Sequence, residues 1–251
     1  MGSALDKAKK LLQKAKDESN KPGDNSEKVA EAAAEAIRAF VEVGKKEDAA
    51  EEKDLNDAAK LLNEAFAKKT SLKALNDFVK KHFDEGWKLE RGAADPKKTD
   101  EQKTEAYTKA AAEYQMAAAA MARAAEVGTA DAVKADQDTS TIGKTLDAWR
   151  AHCDAADAYR AAASYLDTAA KMYVNAANLE GDKPRELAEK KLEFTIASGL
   201  FAQGSEQLTK AADEHKKGKE PNKETKDKDD AKKYKQDADD CKTYADSIKL
   251  K

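Results

Sequence analysis

Between Tyr159 and Ala177 the apolar positions fall on a seven-residue beat. Tyr159, Leu166 and Tyr173 stand in phase, with the alanine pairs Ala162/Ala163, Ala169/Ala170 and Ala176/Ala177 between them. A helix gathers such positions into one stripe, and a repeat near 3.5 residues keeps that stripe facing a partner along its length. The same cassette recurs at Tyr107, Tyr114 and Met121 with Ala124/Ala125, and at Phe194, Phe201 and Leu208 with Ala211/Ala212. Alanine lets helix axes approach more closely than leucine layers do. The pattern therefore predicts an all-α fold, an elongated antiparallel bundle of long alanine-rich helices.

Leu5, Ala8, Leu12 and Ala15 predict a first helix that stops at the turn signal from Asn20 to Asn25, where Pro22 and Gly23 stand together. Ser26 is the expected cap of a second, whose inner face is Val29, Ala33, Ile37, Phe40 and Val43, with Gly44 as its C′ residue. A third carries Leu55, Ala58, Leu62 and Phe66. Thr70 or Ser71 caps a fourth with Leu72, Leu75, Val79, Phe83 and Leu89, in which Gly86 beside Trp87 predicts a close approach or a bend. Thr99 with Gln102 makes a capping box for a long helix through Val127.

From Gly128 to Thr141 the chain is small and polar and reads as a long exposed loop, with a short helix around Ala130 to Ala135. Its polar side chains Thr129, Asp131, Asp136, Asp138, Thr139 and Thr141 are the candidate recognition residues. Ile142 to Leu179 predicts one rod of roughly 55 Å, and Pro184 opens a helix through His215. Residues 218–228 are charged and free of apolar side chains, which predicts a linker. Tyr234, Cys241 and Ile248 then set a last seam. The expected organisation is a bundle over 1–217, a linker or loop over 218–228, and a C-terminal helix over 229–251 that packs on the bundle or leads to a removed anchor. The spacing of the cassettes at Tyr114, Tyr159 and Phe201 also raises a helical-repeat solenoid. Tetratricopeptide units use two short helices in about 34 residues, however, and each cassette here sits inside one uninterrupted helix.

Composition agrees with long helices: Ala, Glu, Lys, Leu and Arg dominate, with 11 Gly and 4 Pro in 251 residues. The 46 basic and 49 acidic side chains leave a net charge of −3, so no basic field exists to hold a nucleic-acid backbone. No stretch approaches the ~20 apolar residues that span a bilayer. The opening Met-Gly-Ser looks like an expression-tag remnant, which leaves a secreted or surface origin open.

Reactive constellations are sparse. His82, His152 and His215 lack the spacing of a metal site, and each falls at or beside a seam, where a hydrogen-bonded core histidine is the expectation. Val79, Trp149 and Ala212 precede them by three, so the Glu-x-x-His pairs of di-iron bundles are absent. No phosphate-binding glycine loop or nucleophile elbow occurs. Trp149 fits the seam in phase with Leu146 and Ala156, while Trp87 is left less defined. Cys153 and Cys241 can form at most one disulfide, if the last helix lies beside the long central one; otherwise they are two buried thiols. The sequence reads as non-enzymatic, without cofactor or metal.

The YRAAASYLDTAAKMY cassette, the alanine, glutamate and lysine content and the charged C-terminal segment resemble the elongated helical coat proteins of trypanosomes, above all their glutamic-acid/alanine-rich members. The resemblance spans the helical body and carries no diagnostic motif. It implies a cell-surface protein on a glycosylphosphatidylinositol anchor, standing upright as spacer and shield against host or vector molecules and neighbouring coat proteins. Two cysteines are fewer than related variant coat proteins and receptors carry. The alternative is a cytoplasmic adaptor resembling tetratricopeptide or vesicle-fusion attachment proteins.

Overall fold

The computed structural model describes residues 4–44, 52–181 and 183–249, and every element in them is helical. The helices are α1 (Ala4–Asn20), α2 (Ser26–Gly44), α3 (Glu52–Glu64), α4 (Leu72–Ala93), α5 (Asp100–Ala135), α6 (Ile142–Leu179), α7 (Pro184–Lys217) and α8 (Pro221–Ser247). Met1 to Ser3 and the side chain of Val43 lie outside the described residues.

Local chemistry sets most of the boundaries. Gly23 takes φ +95° between α1 and α2. At the start of α2 the Ser26 N–H donates to Asp24 Oδ1 at 3.2 Å, so Asp24 performs the capping expected of Ser26. Ser71 caps α4, accepting from the Ala74 N–H at 3.3 Å. Thr99 and Gln102 form the expected reciprocal box on α5 at 3.3 and 3.1 Å. Thr141 caps α6, and Pro184 occupies the first turn of α7.

Helices α4 to α8 run as successive hairpins, each packing chiefly on its chain neighbours, while α1 and α3 pack around α2, which lies against α5 and α7. Ala162, Ala163, Ala169, Ala170, Ala176 and Ala177 are all fully buried along α6. The close approach anticipated at Gly86 is present: a Cβ there would stand 3.2 Å from the Tyr114 ring. Gly204 plays the same part for α8, since a Cβ would stand 2.8 Å from Tyr234.

Two large hydrophobic clusters result. One joins α1–α4 to the middle of α5; the other joins α5 to α6, α7 and α8. Tyr165, Leu192 and Ile196 pack against both. Helix α6 has 38 residues and is therefore about 57 Å long. The chain exposes 13401 Å², against about 10,900 Å² for a compact monomer of its mass.

Four expectations change. The stretch from Gly128 is not a loop, because α5 continues to Ala135; Gly128 lies against Ala155 and Ala132 is fully buried, so only 136–141 turns. Residues 218–228 are not a linker: α8 begins at Pro221, and Asp227 faces inward. Leu146 is 50% exposed and Trp149 half-buried, because the first turns of α6 project past the α7–α8 turn that meets α6 at Trp149 and Cys153. Finally α6 runs unbroken through Ala148–Ala177, and helix lengths range from 13 to 38 residues. A solenoid of equal short helix pairs does not fit those lengths.

Cys153 and Cys241 are both free. The Cys153 thiol donates to the Gly218 carbonyl at 3.6 Å beside the start of α8, whereas Cys241 lies about 30 Å farther along that helix. A disulfide needs Cα atoms within about 7 Å. Burial, with Asp237 and Asp240 nearby, pushes the Cys241 thiol up to about 11, and burial raises Cys153 as well. At pH 8 the thiolate fraction of Cys241 should therefore lie on the order of a hundredfold below that of an open thiol. Iodoacetamide should label Cys241 far more slowly in the folded protein than in denaturant. A non-reduced mass two hydrogen atoms short of the reduced one would overturn this assignment.

Candidate functional site

The predicted recognition residues do not form one loop. Thr129 is half-buried on α5, its hydroxyl 3.5 Å from the Tyr159 hydroxyl. Asp131 is exposed on the same helix and pairs with Lys134 at 3.0 Å. Asp136 follows the helix end and accepts from His152 Nε2 at 2.9 Å. In the turn, Asp138 accepts from Ser140 and Lys144, which holds its carboxyl below the usual range, while Thr139 is exposed and Thr141 is engaged as the α6 cap. Around this tip Val133, Ile142 and Leu146 are 46%, 81% and 50% exposed. The structure thus brings Asp138, Thr139 and Thr141 together at the turn and draws Thr129 and Asp136 into the α5–α6 joint.

Each of the three histidines is buried on a carboxylate from another helix. His82 on α4 bonds through Nδ1 to Glu113 of α5 at 2.6 Å. His152 on α6 bonds through Nδ1 to Glu214 of α7 at 2.6 Å and through Nε2 to Asp136. His215 on α7 bonds through Nδ1 to Asp227 of α8 at 2.6 Å, and its Nε2 lies 3.4 Å from Asp157. Asp227 also accepts from Arg160 of α6, so one fully buried carboxylate ties three helices together. Glu214 and His215 are sequence neighbours that point to different partners, one toward α6 and one toward α8.

Sequence reasoning placed the histidines at the seams but missed their partners. The available signal was phase: Glu189, Glu193, Ala197, Leu200, Gly204, Leu208, Ala211 and His215 make one stripe on α7, and Asp227 falls in phase with Ala231, Ala238 and Ala245 on α8. An acid on an apolar stripe is buried only if something meets it.

Both His152 nitrogens are engaged, and the ring is fully enclosed. His82 borders a polar cleft of about 570 Å³ between α2, α4 and α5, lined also by Glu31, Glu35, Arg38, Lys81 and Glu113. Trp87 stands at the surface, with the Arg91 guanidinium 4.8 Å over its ring. Among the described residues no group of three or more His, Cys, Asp or Glu is arranged to hold a metal ion.

No protein-family model matches this chain, and no curated protein matches it. A solved structure from the computational design of self-assembling cyclic protein homooligomers aligns over 97% of this chain and 95% of its own, at 15% identity. Its TM-score is 0.21, too low for any inference from the superposition.

Proposed function

We propose that the chain is a non-enzymatic, rod-like spacer of a cell-surface coat, held by a lipid anchor and meeting host or vector molecules or neighbouring coat proteins. The observation that carries this reading is α6, one uninterrupted helix of 38 residues held between α5 and α7 by fully buried alanine pairs. Such packing favours stiffness over cavities, and the buried ionic groups are engaged in joining helices. The surface location rests on the resemblance of the alanine cassettes to trypanosome coat proteins. No helix among the described residues is long and apolar enough to cross a membrane, which suits attachment through lipid. The α5–α6 tip, with exposed Ile142 and Leu146 beside Asp138 and Thr139, is the end assigned to contact.

Small-angle scattering should give a radius of gyration well above the about 18 Å of a compact 251-residue domain, and a value near that figure removes the rod. Antibodies raised against the folded chain should stain intact cells of the source organism, and a phosphatidylinositol-specific phospholipase should release the antigen. Staining confined to permeabilised cells removes the coat and favours a cytoplasmic role.

A further inference from the structure

Helix α6 carries its apolar stripe farther than the bundle covers it. Ile142, Leu146, Trp149 and Cys153 follow one another at steps of four, three and four residues, the spacing that lines up one face of a helix. Toward the body the α7–α8 turn covers this row: a Cβ on Gly218 would stand 3.0 Å from the Trp149 carbonyl oxygen, and the Cys153 thiol donates to the Gly218 carbonyl. Toward the tip the cover ends. Leu146 is 50% exposed and Ile142 81%, the most of any large apolar side chain among the described residues, and Val133 near the end of α5 is 46% exposed. Single exposed apolar side chains are ordinary, but a contiguous group marks a surface made for contact.

The shape of the row and its surroundings say what fits it. A short apolar stripe on a helix packs best against a matching stripe of a second helix, and the α7–α8 turn limits how that helix can lie. A second copy running alongside in the same direction would drive its own α7 and α8 into those of the first. An antiparallel copy lies in the space beyond the bundle until its Ile142 reaches the α7–α8 turn. Antiparallel pairing about a two-fold axis also sets each edge of the row against the same edge of its partner. One such edge carries Arg150 and Asp147, 77% and 74% exposed and only loosely joined at 3.9 Å. The guanidinium of each copy can therefore meet the carboxylate of the other, an exchange that an edge of one sign would forbid. A net charge of −3 adds little repulsion between copies.

We propose that the α5–α6 tip is a self-recognition surface, on which a second copy of this chain docks end to end and antiparallel, the first turns of the two α6 helices overlapping. The proposal rests on the spacer reading in taking this tip as the contact end, and it names the partner: an opposed molecule, as on a facing surface, rather than a side-by-side neighbour. The overlap from Ile142 to Trp149 is about 12 Å of a helix about 10 Å across. That falls well short of the about 800 Å² per partner that stable complexes bury. The pairing is therefore weak and reversible, and gains strength only where many copies engage together.

The test is sedimentation velocity with small-angle scattering on the full chain, from about 10 µM to about 1 mM. A reversible dimer should appear whose greatest dimension is nearly twice that of the monomer. Ile142→Glu combined with Leu146→Glu, both at exposed positions, should raise the dissociation constant at least about tenfold while helical circular dichroism stays unchanged. Arg150→Asp alone should weaken pairing about two- to fivefold, because like charges then face each other, and adding Asp147→Arg should restore it. Sedimentation independent of concentration up to that limit overturns the proposal. So does a dimer no longer than the monomer, one indifferent to the change at Ile142 and Leu146, or a charge-exchanged variant no tighter than Arg150→Asp. The spacer reading stands or falls separately, on the monomer's radius of gyration and on the staining of intact cells.

Discussion

Asp227→Ala should lower the free energy of unfolding by about 3–5 kcal/mol, the range found when one partner is removed from a buried ionic cluster. The carboxylate is fully buried and bonds two groups at once, the His215 imidazole of α7 and the Arg160 guanidinium of α6. Removing it takes the Nδ1 partner from His215, which has no solvent exposure through which to recover hydration, and leaves Arg160 with Asp230 alone at 3.7 Å. In a chain of this size each kcal/mol shifts Tm by about 2–4 °C, so thermal unfolding should move down by on the order of 10 °C. The exposed pair Asp131–Lys134 is the control: Asp131→Ala should leave urea unfolding unchanged. Equal small effects from the two substitutions would mean that the Asp227 cluster is solvated.

The second large effect appears in alkali. Burial raises the Tyr114, Tyr159, Tyr165, Tyr173 and Tyr234 phenols above their ordinary value; the Glu90 bond adds to this at Tyr114, the Glu193 charge at Tyr173, and the charges of Asp167, Asp230 and Asp237 at Tyr234. A raised phenol favours the protonated folded state. Its contribution is therefore complete below the unfolded value near pH 10 and is lost as pH rises from there toward the folded value. Tyr114 and Tyr173, 1% and 0% exposed, each account for about 1.4 kcal/mol per pH unit in that window. Unfolding should consequently be steep just above pH 10. Phenolate absorbance from the five should rise together with the loss of helical circular dichroism. Ionisation of all seven tyrosines of the chain with the helical signal intact would contradict the assignment.

The sequence made the long rods legible because their information is periodic and local. Tyr159, Leu166 and Tyr173 with their alanine pairs announce α6 from Ile142 to Leu179, and Thr99 with Gln102 announces α5. The sequence offered a separate short helix around Ala130 to Ala135 but not its continuity with α5, because Gly128 and Thr129 are weak helix formers; Ala155 and Tyr159 of the facing helix support that junction, and no local pattern records it. The opening of α8 was hidden for a different reason. Its inward residue is Asp227, which looks like solvated charge until Arg160 and His215 come into view. Gly218 reads as a flexible loop residue, yet a Cβ there would stand 3.0 Å from the Trp149 carbonyl oxygen, while the positive φ at this turn belongs to Lys219.

The alanine seams leave one degree of freedom undecided. A slide of α6 along α7 by one heptad would again set alanine against alanine, so small side chains alone favour close parallel rods without choosing their axial alignment. The imidazole–carboxylate bonds remove that ambiguity: displaced by one heptad, about 10 Å, His152 loses Glu214 and Arg160 loses Asp227. Buried polar groups that select one pairing among near-equivalents act as a register mark. In this protein three histidines tell the helices from α4 to α8 which of several similar positions is their own.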